Sequence, residues 1–133
     1  MTEADLAVNC HLSAVLRLAR PDYGWLSEET EDDTARLNHE RVFIIDPIDG
    51  TRSFVEGART WAIAMAVVES GRVTAGVVYL PLRDKLYAAG ENLGATLNGA
   101  PLNVSKARDV DGCLLYTSPS PRDLSTSRMP SSA

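Results

Sequence analysis

Cysteine, aromatic residues and long apolar runs are all scarce in this chain of 133 residues. The two cysteines, Cys10 and Cys113, stand far apart and outside any metal-binding spacing. They predict buried free thiols in a reducing cytoplasm, and they exclude a disulfide framework or a cysteine-rich zinc site. No apolar run approaches the roughly 20 residues that a membrane-spanning helix needs, so we expect no membrane partner.

Positive charge is also in short supply, since the net charge is −5 at pH 7. A general nucleic-acid-binding surface needs clustered Lys and Arg, so a nucleic-acid polymer is not expected as a partner. A small phosphorylated substrate stays open, because bound metal ions reverse the local charge of an acidic site.

The most informative stretch lies near the middle of the chain. Residues 42–45 form a short, β-branched apolar run that predicts a buried strand. Asp46 and Pro47 predict its end, because proline has no N–H and keeps the preceding residue extended. Asp49 and Gly50 supply a second turn signal. A turn at Pro47 would cancel the alternation of side chains along a strand and let both carboxylates converge.

Two carboxylates at the end of a strand, followed by glycine and a helix start, indicate a site for a hard cation and a phosphate. The alternative is a turn whose Asp residues only cap backbone N–H groups and keep the surface soluble. A calcium EF-hand is excluded, because Ile45 and Pro47 would fall at ligand positions without a side-chain oxygen. The D-x-D-G-T pattern of aspartyl phosphatases fits poorly, because its carboxylates are closer together in sequence than Asp46 and Asp49.

A third pattern matches this stretch closely, and its residues are Ile45-Asp46-Pro47-Ile48-Asp49-Gly50-Thr51 followed by Ser53-Phe54. They resemble the first metal-binding signature of the inositol monophosphatase superfamily. That superfamily comprises Mg²⁺-dependent, lithium-sensitive phosphomonoesterases, among them inositol monophosphatases and 3'(2'),5'-bisphosphate nucleotidases. The resemblance implies an α+β chain, the N-terminal half of a layered αβαβα sugar-phosphatase fold, with a helix and a mostly antiparallel sheet. The family's second signature, Trp-Asp-x-Ala, does not occur in the sequence.

Apolar residues near the start recur with helical spacing and predict a helix over residues 4–19, with Thr2 as N-cap and Pro21 after its end. Asp5 taken alone would only stabilise the first helical turn. Family members carry a Thr-x-x-Asp segment before a helix, and its Asp helps a threonine hydroxyl to orient the attacking water. The resemblance therefore implies this role for Asp5 together with Thr51. It also implies that a further helix and a metal-site loop precede this sequence.

The apolar Trp25-Leu26 pair predicts a short strand with the acidic pair Glu28-Glu29 at its end. The acidic residues could instead belong to a solvated loop. The acidic pair resembles the family's Gly-Glu-Glu segment, with Ser27 in place of glycine, which implies that Glu28 ligates metal. The implied site comprises Asp5 and Thr51 as catalytic residues, Glu28, Asp46, the Ile48 carbonyl and Asp49 as Mg²⁺ ligands, and the Gly50 and Thr51 N–H groups on the substrate phosphate.

The second half of the chain alternates apolar runs with turn signals. Four strands are predicted, over residues 61–68, 73–80, 85–89 and 95–97. This meander resembles the antiparallel sheet of the superfamily's N-terminal half. Gly76, inside the second of these strands, is expected to mark a close backbone approach.

The composition changes near the end, where residues 117–133 hold six Ser and three Pro without apolar periodicity. Residues 114–123 resemble translated sequencing-adapter sequence. We therefore expect a partial inositol-monophosphatase-like domain over residues 1–113 and a disordered or artefactual tail over residues 114–133.

The resemblance implies a Mg²⁺-dependent phosphomonoesterase, cytoplasmic, and homodimeric in its full-length form. Arg52 and Ser53 replace the Thr-Asn pair typical of inositol monophosphatases. This difference favours the bisphosphate-nucleotidase-like branch, where Arg52 would contact a second phosphate, but Arg52 could also be a solvated residue on a helix. Inositol 1-phosphate and 3'-phosphoadenosine 5'-phosphate therefore both stay open as substrates. The alternative is a non-catalytic fragment or metal-binding module that needs a missing C-terminal half to fold and that exposes an apolar interface.

Overall fold

A seven-stranded sheet is the framework of residues 1–104, the part of the chain that this computed structural model describes. Its strands lie side by side in their sequence order. They are β1 (Gly24–Ser27), β2 (Arg41–Asp49), β3 (Ala62–Glu69), β4 (Arg72–Leu80), β5 (Lys85–Gly90), β6 (Gly94–Leu97) and β7 (Ala100–Leu102). β1 and β2 run parallel, and every other neighbouring pair runs antiparallel. The α+β class, with a mostly antiparallel sheet, is confirmed.

The first helix, α1 (Glu3–Ala19), begins and ends close to its predicted bounds. Thr2 is its N-cap in a capping box with Asp5, which satisfies backbone N–H groups that have no partner inside the helix. The face of α1 turned towards the protein carries two buried polar residues, Asp5 and Asn9, followed by the apolar Leu12 and Leu16. This spacing of three and four residues places all four on one side of the helix.

The core lies between α1 and one face of the sheet. Trp25, Phe43 and Ile45 form its buried centre, and Ile45 is only 2% exposed. The partly buried Leu12, Leu16, Tyr23, Met65 and Val67 pack against them. Alternation along β2 puts Phe43 and Ile45 on this face and Ile44, which is 39% exposed, on the other.

The predicted end of the strand at Asp46 is wrong, because β2 continues through Pro47 to Asp49. Asp46 pairs with Ala64 and Asp49 pairs with Ala62, so β2 has one residue more than its partner between these points. The extra residue makes a β-bulge, where the missing N–H of proline breaks no regular ladder. The bulge, and not a turn, interrupts the alternation of side chains.

Tight turns follow β3 and β6, as the sequence predicted. Ser70 and Gly71, between β3 and β4, both have positive φ values of 48° and 81°. Asn98 and Gly99 repeat this pattern with 49° and 81° and lead into β7, a strand that the sequence pattern did not predict. Two successive residues with positive φ are typical of the type I′ turn, whose twist matches that of a hairpin.

Two predictions about single residues are wrong. Cys10 is exposed and not buried, because the inward face of α1 is defined by the neighbouring Asn9 and by Asp5. Gly76 marks no close approach, since a Cβ there would lie 3.9 Å from the nearest heavy atom, the Met65 carbonyl oxygen. Cys113 lies outside the described residues.

The tail predicted over residues 114–133 and its boundary at residue 113 also lie outside the described part of the chain, and both stay predictions. Within residues 1–104, no helix is both long and apolar enough to cross a lipid bilayer.

Candidate functional site

The two residues predicted to be catalytic are in contact. Asp5 is 0% exposed at the N-terminal end of α1. Its carboxylate accepts a hydrogen bond from the backbone N–H of Thr2, and its own N–H donates to the Thr2 hydroxyl at 3.3 Å. Thr51 opens the second helix, α2 (Thr51–Val55), and its hydroxyl lies 3.4 Å from Asp5 Oδ1. Asp5 therefore links the start of α1 to the start of α2.

The Thr51 hydroxyl has a second acceptor close by, the Ile48 carbonyl oxygen at 3.1 Å. A hydroxyl carries one proton and two lone pairs, so it donates to one of these acceptors at a time. Its lone pairs stay available to accept a hydrogen bond from a water. The geometry thus suits Thr51 to orienting a water molecule.

The pKa of Asp5 lies below its usual value. Burial of the carboxyl raises the pKa, but the hydrogen bonds from Thr2, the charge of the N-terminal amino group and the hydrogen bond from Thr51 together lower it. The group is therefore an anionic acceptor at neutral pH, which favours donation by the Thr51 hydroxyl.

Asp46 lies at the β2 bulge, and its pKa is changed in the opposite direction to that of Asp5. Its Oδ1 atom is buried and has no hydrogen-bond partner among the described residues. Burial and the charges of Glu28, Asp49 and Asp5 together raise the pKa of Asp46 to about 6, although a hydrogen bond from the Ile48 backbone lowers it in part. A buried carboxylate oxygen without a donor, surrounded by other carboxylates, is stabilised by a cation. This donor set fits a hard divalent ion such as Mg²⁺.

The other predicted ligands lie in the same region but are more exposed. Glu28 follows β1, and its N–H donates to the Ile45 carbonyl of β2 at 3.3 Å. Both Glu28 and Asp49 are exposed. Within residues 1–104, no three His, Cys, Asp or Glu side chains form a ready-made metal site. The ligand assignments to Glu28, Asp46, Ile48 and Asp49 therefore stay predictions.

Gly50 links the bulge to α2 and has a left-handed conformation, with φ 85° and ψ 41°. A Cβ at this position would also lie 3.3 Å from the Thr60 carbonyl oxygen. Both facts favour glycine here. The assignment of the Gly50 and Thr51 N–H groups to a substrate phosphate stays a prediction.

Two polar residues of this region escaped the sequence interpretation. The Ser27 hydroxyl donates a buried hydrogen bond to Asn9 Oδ1 at 2.7 Å, and it accepts one from the Glu29 N–H at 3.3 Å. The sequence does carry a signal for Asn9. Asn9 stands four positions after Asp5, and so lies on the same helix face one turn further along.

The face of the sheet opposite α1 carries an open apolar groove of about 820 Å³. Its lining includes Leu26, Ile44, Ala64, Ala66, Val78 and Ala89. Glu28 and Asp46 line the same groove, so the acidic site adjoins the apolar face. An apolar surface of this kind marks an interaction site or an aggregation-prone region.

Comparison with known proteins identifies relatives of the chain. The family model described as the inositol monophosphatase family matches residues 1–130. The Nus factor SuhB of Xylella fastidiosa is 38% identical over 110 residues, which cover 83% of this chain and 39% of that protein. The crystal structure of the extragenic suppressor protein suhB from Bartonella henselae has a TM-score of 0.77 at 34% identity, covering 81% of this chain and 42% of that one.

A third relative is the staphylococcal inositol monophosphatase-1, solved as an inhibitory complex soaked in LiCl. It has a TM-score of 0.76 at 25% identity and covers 83% of this chain and 42% of that chain. This chain therefore spans about two fifths of the length of the relatives it matches.

Proposed function

Because this chain belongs to the inositol monophosphatase family, we propose that it provides the carboxylate site of a Mg²⁺-dependent phosphomonoesterase. The proposed substrate is a small phosphate monoester, such as inositol 1-phosphate or 3'-phosphoadenosine 5'-phosphate. The observation that carries the proposal is the buried Asp46 oxygen, which has no hydrogen-bond donor among residues 1–104. The negative charges of Glu28, Asp49 and Asp5 are close enough to raise the pKa of this carboxyl. A reducing cytoplasm is the proposed location, since the exposed Cys10 thiol is free.

Glu28, Asp46, Asp49 and the Ile48 carbonyl are the proposed Mg²⁺ ligands. When bound, the ion supplies positive charge that acidifies a water and neutralises the leaving oxygen. Asp46 already lacks a hydrogen-bond donor for one oxygen, so it can ligate without first losing a bond inside the described chain.

Thr51 and Asp5 have a different role in this proposal. The ionised Asp5 accepts from the Thr51 hydroxyl, which fixes the direction of the hydroxyl lone pairs. One lone pair then accepts from the attacking water and aligns it with the phosphorus atom. The Gly50 and Thr51 N–H groups are proposed to hold the phosphate oxygens. Water attacks directly, so no covalent enzyme intermediate is required.

Arg52 bears on the choice of substrate. Its side chain is 89% exposed and pairs with Glu56 at 2.9 Å. A substrate with a second phosphate could recruit this arginine away from Glu56, whereas a monophosphate would leave the pair intact. Replacing Arg52 with Thr should therefore raise KM for 3'-phosphoadenosine 5'-phosphate and leave KM for inositol 1-phosphate unchanged. An equal change in KM for both substrates would show that Arg52 does not distinguish between them.

The activity is tested by measuring phosphate release from both monoesters by the 133-residue chain, with and without Mg²⁺. We expect Mg²⁺-dependent release that LiCl inhibits, as in the staphylococcal relative's inhibitory complex. Asp46→Asn should abolish release and keep the circular dichroism spectrum. Asp22→Asn, at an exposed position before β1, is the matched control and should keep full activity. Unchanged turnover in Asp46→Asn would contradict the ligand assignment.

A second candidate is a non-catalytic part that binds metal and needs a further polypeptide over its sheet. The apolar groove opposite α1 and the limited coverage of the relatives favour it. Mg²⁺ binding without phosphate release, together with self-association in gel filtration, would support this candidate. Release of phosphate by the isolated chain would contradict it.

A further inference from the structure

We infer that Asn9 and Ser27 are positioning residues, whose mutual hydrogen bond holds the end of β1, and with it Glu28, against the helix face that carries Asp5. The consequence for metal binding rests on the proposed function. The positioning itself rests on contacts that are independent of it.

The bond between Asn9 and Ser27 is buried at both ends. Asn9 is 8% exposed and Ser27 is 5% exposed, and the Ser27 hydroxyl donates to Asn9 Oδ1 at 2.7 Å. The two residues are 18 positions apart and belong to α1 and β1. A hydrogen bond shielded from water is stronger than an exposed one, and losing either partner leaves a buried polar atom unsatisfied.

The same hydroxyl also fixes the backbone after β1. Ser27 Oγ accepts from the Glu29 N–H at 3.3 Å, while the Glu28 N–H donates to the Ile45 carbonyl at 3.3 Å. The chain is therefore held on both sides of the Glu28 side chain. Glu28 itself is exposed, so its carboxylate is directed by its backbone and not by packing.

On the helix side, Asn9 lies one turn after Asp5 on the same buried face. Asp5 in turn contacts Thr51. The Asn9–Ser27 bond thus connects the two parts of the candidate site, the Glu28 ligand on one side and the Asp5–Thr51 pair on the other.

A purely structural role for the pair predicts lower stability and nothing more. A positioning role predicts that each partner controls the backbone at Glu29, including Asn9, which does not touch Glu29 through a hydrogen bond. Amide hydrogen exchange measured without metal separates the two. Asn9→Ala and Ser27→Ala should each accelerate exchange of the Glu29 N–H about tenfold, and the double variant should be no faster than either.

The matched control is Cys10→Ala, at the exposed neighbouring position on the same helix, which should keep the wild-type exchange rate. If Asn9→Ala lowers the melting temperature but leaves Glu29 exchange at its wild-type rate, the inference is overturned. If an alanine variant fails to fold, Ser27→Thr decides the question. It retains the hydroxyl and should keep slow exchange of the Glu29 N–H, and fast exchange at this position in a folded Ser27→Thr would overturn the inference.

The link to the site is tested by calorimetric titration of the 133-residue chain with Mg²⁺. Both single alanine variants should bind about tenfold more weakly, and the double variant no more weakly than either. Additive losses in the double variant would contradict the shared connection. A wild-type chain that binds no Mg²⁺ contradicts the proposed function, and the metal-free exchange experiment then decides the positioning inference alone.

Discussion

The Thr51 hydroxyl lies 3.4 Å from Oδ1 of Asp5, although 46 positions separate the two residues in sequence. The contact brings together the N-terminal ends of α1 and α2. Asp5 is fully buried there, and although burial raises its pKa, the hydrogen bonds around it and the charge of the N-terminal amino group together keep the pKa low. An ionised acceptor behind a threonine hydroxyl is the arrangement that our proposed mechanism requires.

Removing either partner of this contact should lower phosphate release about a hundredfold, because the water would lose its orientation. The variants are Thr51→Val and Asp5→Asn, and the measurement is kcat with saturating Mg²⁺. The double variant should be no slower than the slower single variant, since both act on one hydroxyl.

The control is Thr51→Ser, which keeps the hydroxyl and should retain at least a tenth of the activity. Equal loss in Thr51→Ser and Thr51→Val would show that the methyl group matters and the hydroxyl does not, against the proposed role.

The capping box at Thr2 predicts a stability effect. Thr2→Ala removes the hydroxyl that accepts from the Asp5 N–H, and it should lower the free energy of unfolding by about 1 kcal/mol. For a domain of this size the melting temperature should fall by about 4–8 °C. Thr2→Ser keeps the acceptor and should melt close to wild type. A Ser variant as unstable as the Ala variant would exclude the cap as the cause.

The raised pKa of Asp46 predicts how stability varies with pH. The folded carboxyl titrates near pH 6 and the unfolded one near 3.8. Between these values the folded chain binds more protons, so the free energy of unfolding falls as pH rises. Asp46→Asn should abolish this loss and stabilise the metal-free chain at pH 7 by about 1–2 kcal/mol, less than the full shift gives because the side chain is partly exposed.

Urea denaturation of wild type and Asp46→Asn at pH 4, 5, 6 and 7 measures this difference directly. Mg²⁺ added at pH 7 should stabilise the wild type and not the variant. If the difference in free energy of unfolding between the two proteins is constant across this pH range, the pKa of Asp46 is not raised in the folded chain.

Adjacent isoleucines on opposite faces of β2 provide a test of the core. Ile45 is 2% exposed and Ile44 is 39% exposed. Ile45→Ala should destabilise the chain by about 2–4 kcal/mol, because it leaves a cavity against Trp25 and Phe43. Ile44→Ala should lower stability by less than about 1 kcal/mol. Equal losses in thermal denaturation would mean that the groove face is also packed.

Ile44 also tests the groove as an association surface. Ile44→Asp places a charge on the apolar face. It should reduce both the binding of a hydrophobic fluorescent dye and self-association in gel filtration. Ser70→Asp, in the exposed turn between β3 and β4, is the matched charge control. Undiminished self-association in Ile44→Asp would place the association surface elsewhere.

Local patterns in the sequence predicted most of the fold. The helical period over α1, the β-branched runs and the Ser70-Gly71 and Asn98-Gly99 turns depend on neighbours within a few residues, so they can be read without the tertiary structure. The continuation of β2 through Pro47 could not be predicted from local sequence, because a proline is tolerated there only as part of a bulge against β3.

The site was predictable where residue type and local order determine it. Asp46, Asp49 and Gly50 lie within five successive residues, and their pattern indicates metal and phosphate chemistry. The Asn9–Ser27 bond depends on how α1 crosses the end of β1, which local spacing does not determine. Exposure of Cys10 likewise follows from which face of α1 meets the sheet.

The order of strands in the sheet has a consequence for how the chain acquires its structure. From β3 to β7, each strand pairs antiparallel with the next strand in sequence across a connection of two to four residues, so the closure of short loops suffices to extend this part of the sheet. Such low contact order favours rapid growth of the meander during synthesis, one hairpin at a time as the chain leaves the ribosome. The β1–β2 and β2–β3 pairs close over longer connections, residues 28–40 and 50–61, and the parallel β1–β2 pair brings Glu28 beside Asp46. Acquisition of the acidic site is therefore expected to be slower than growth of the hairpins from β3 to β7.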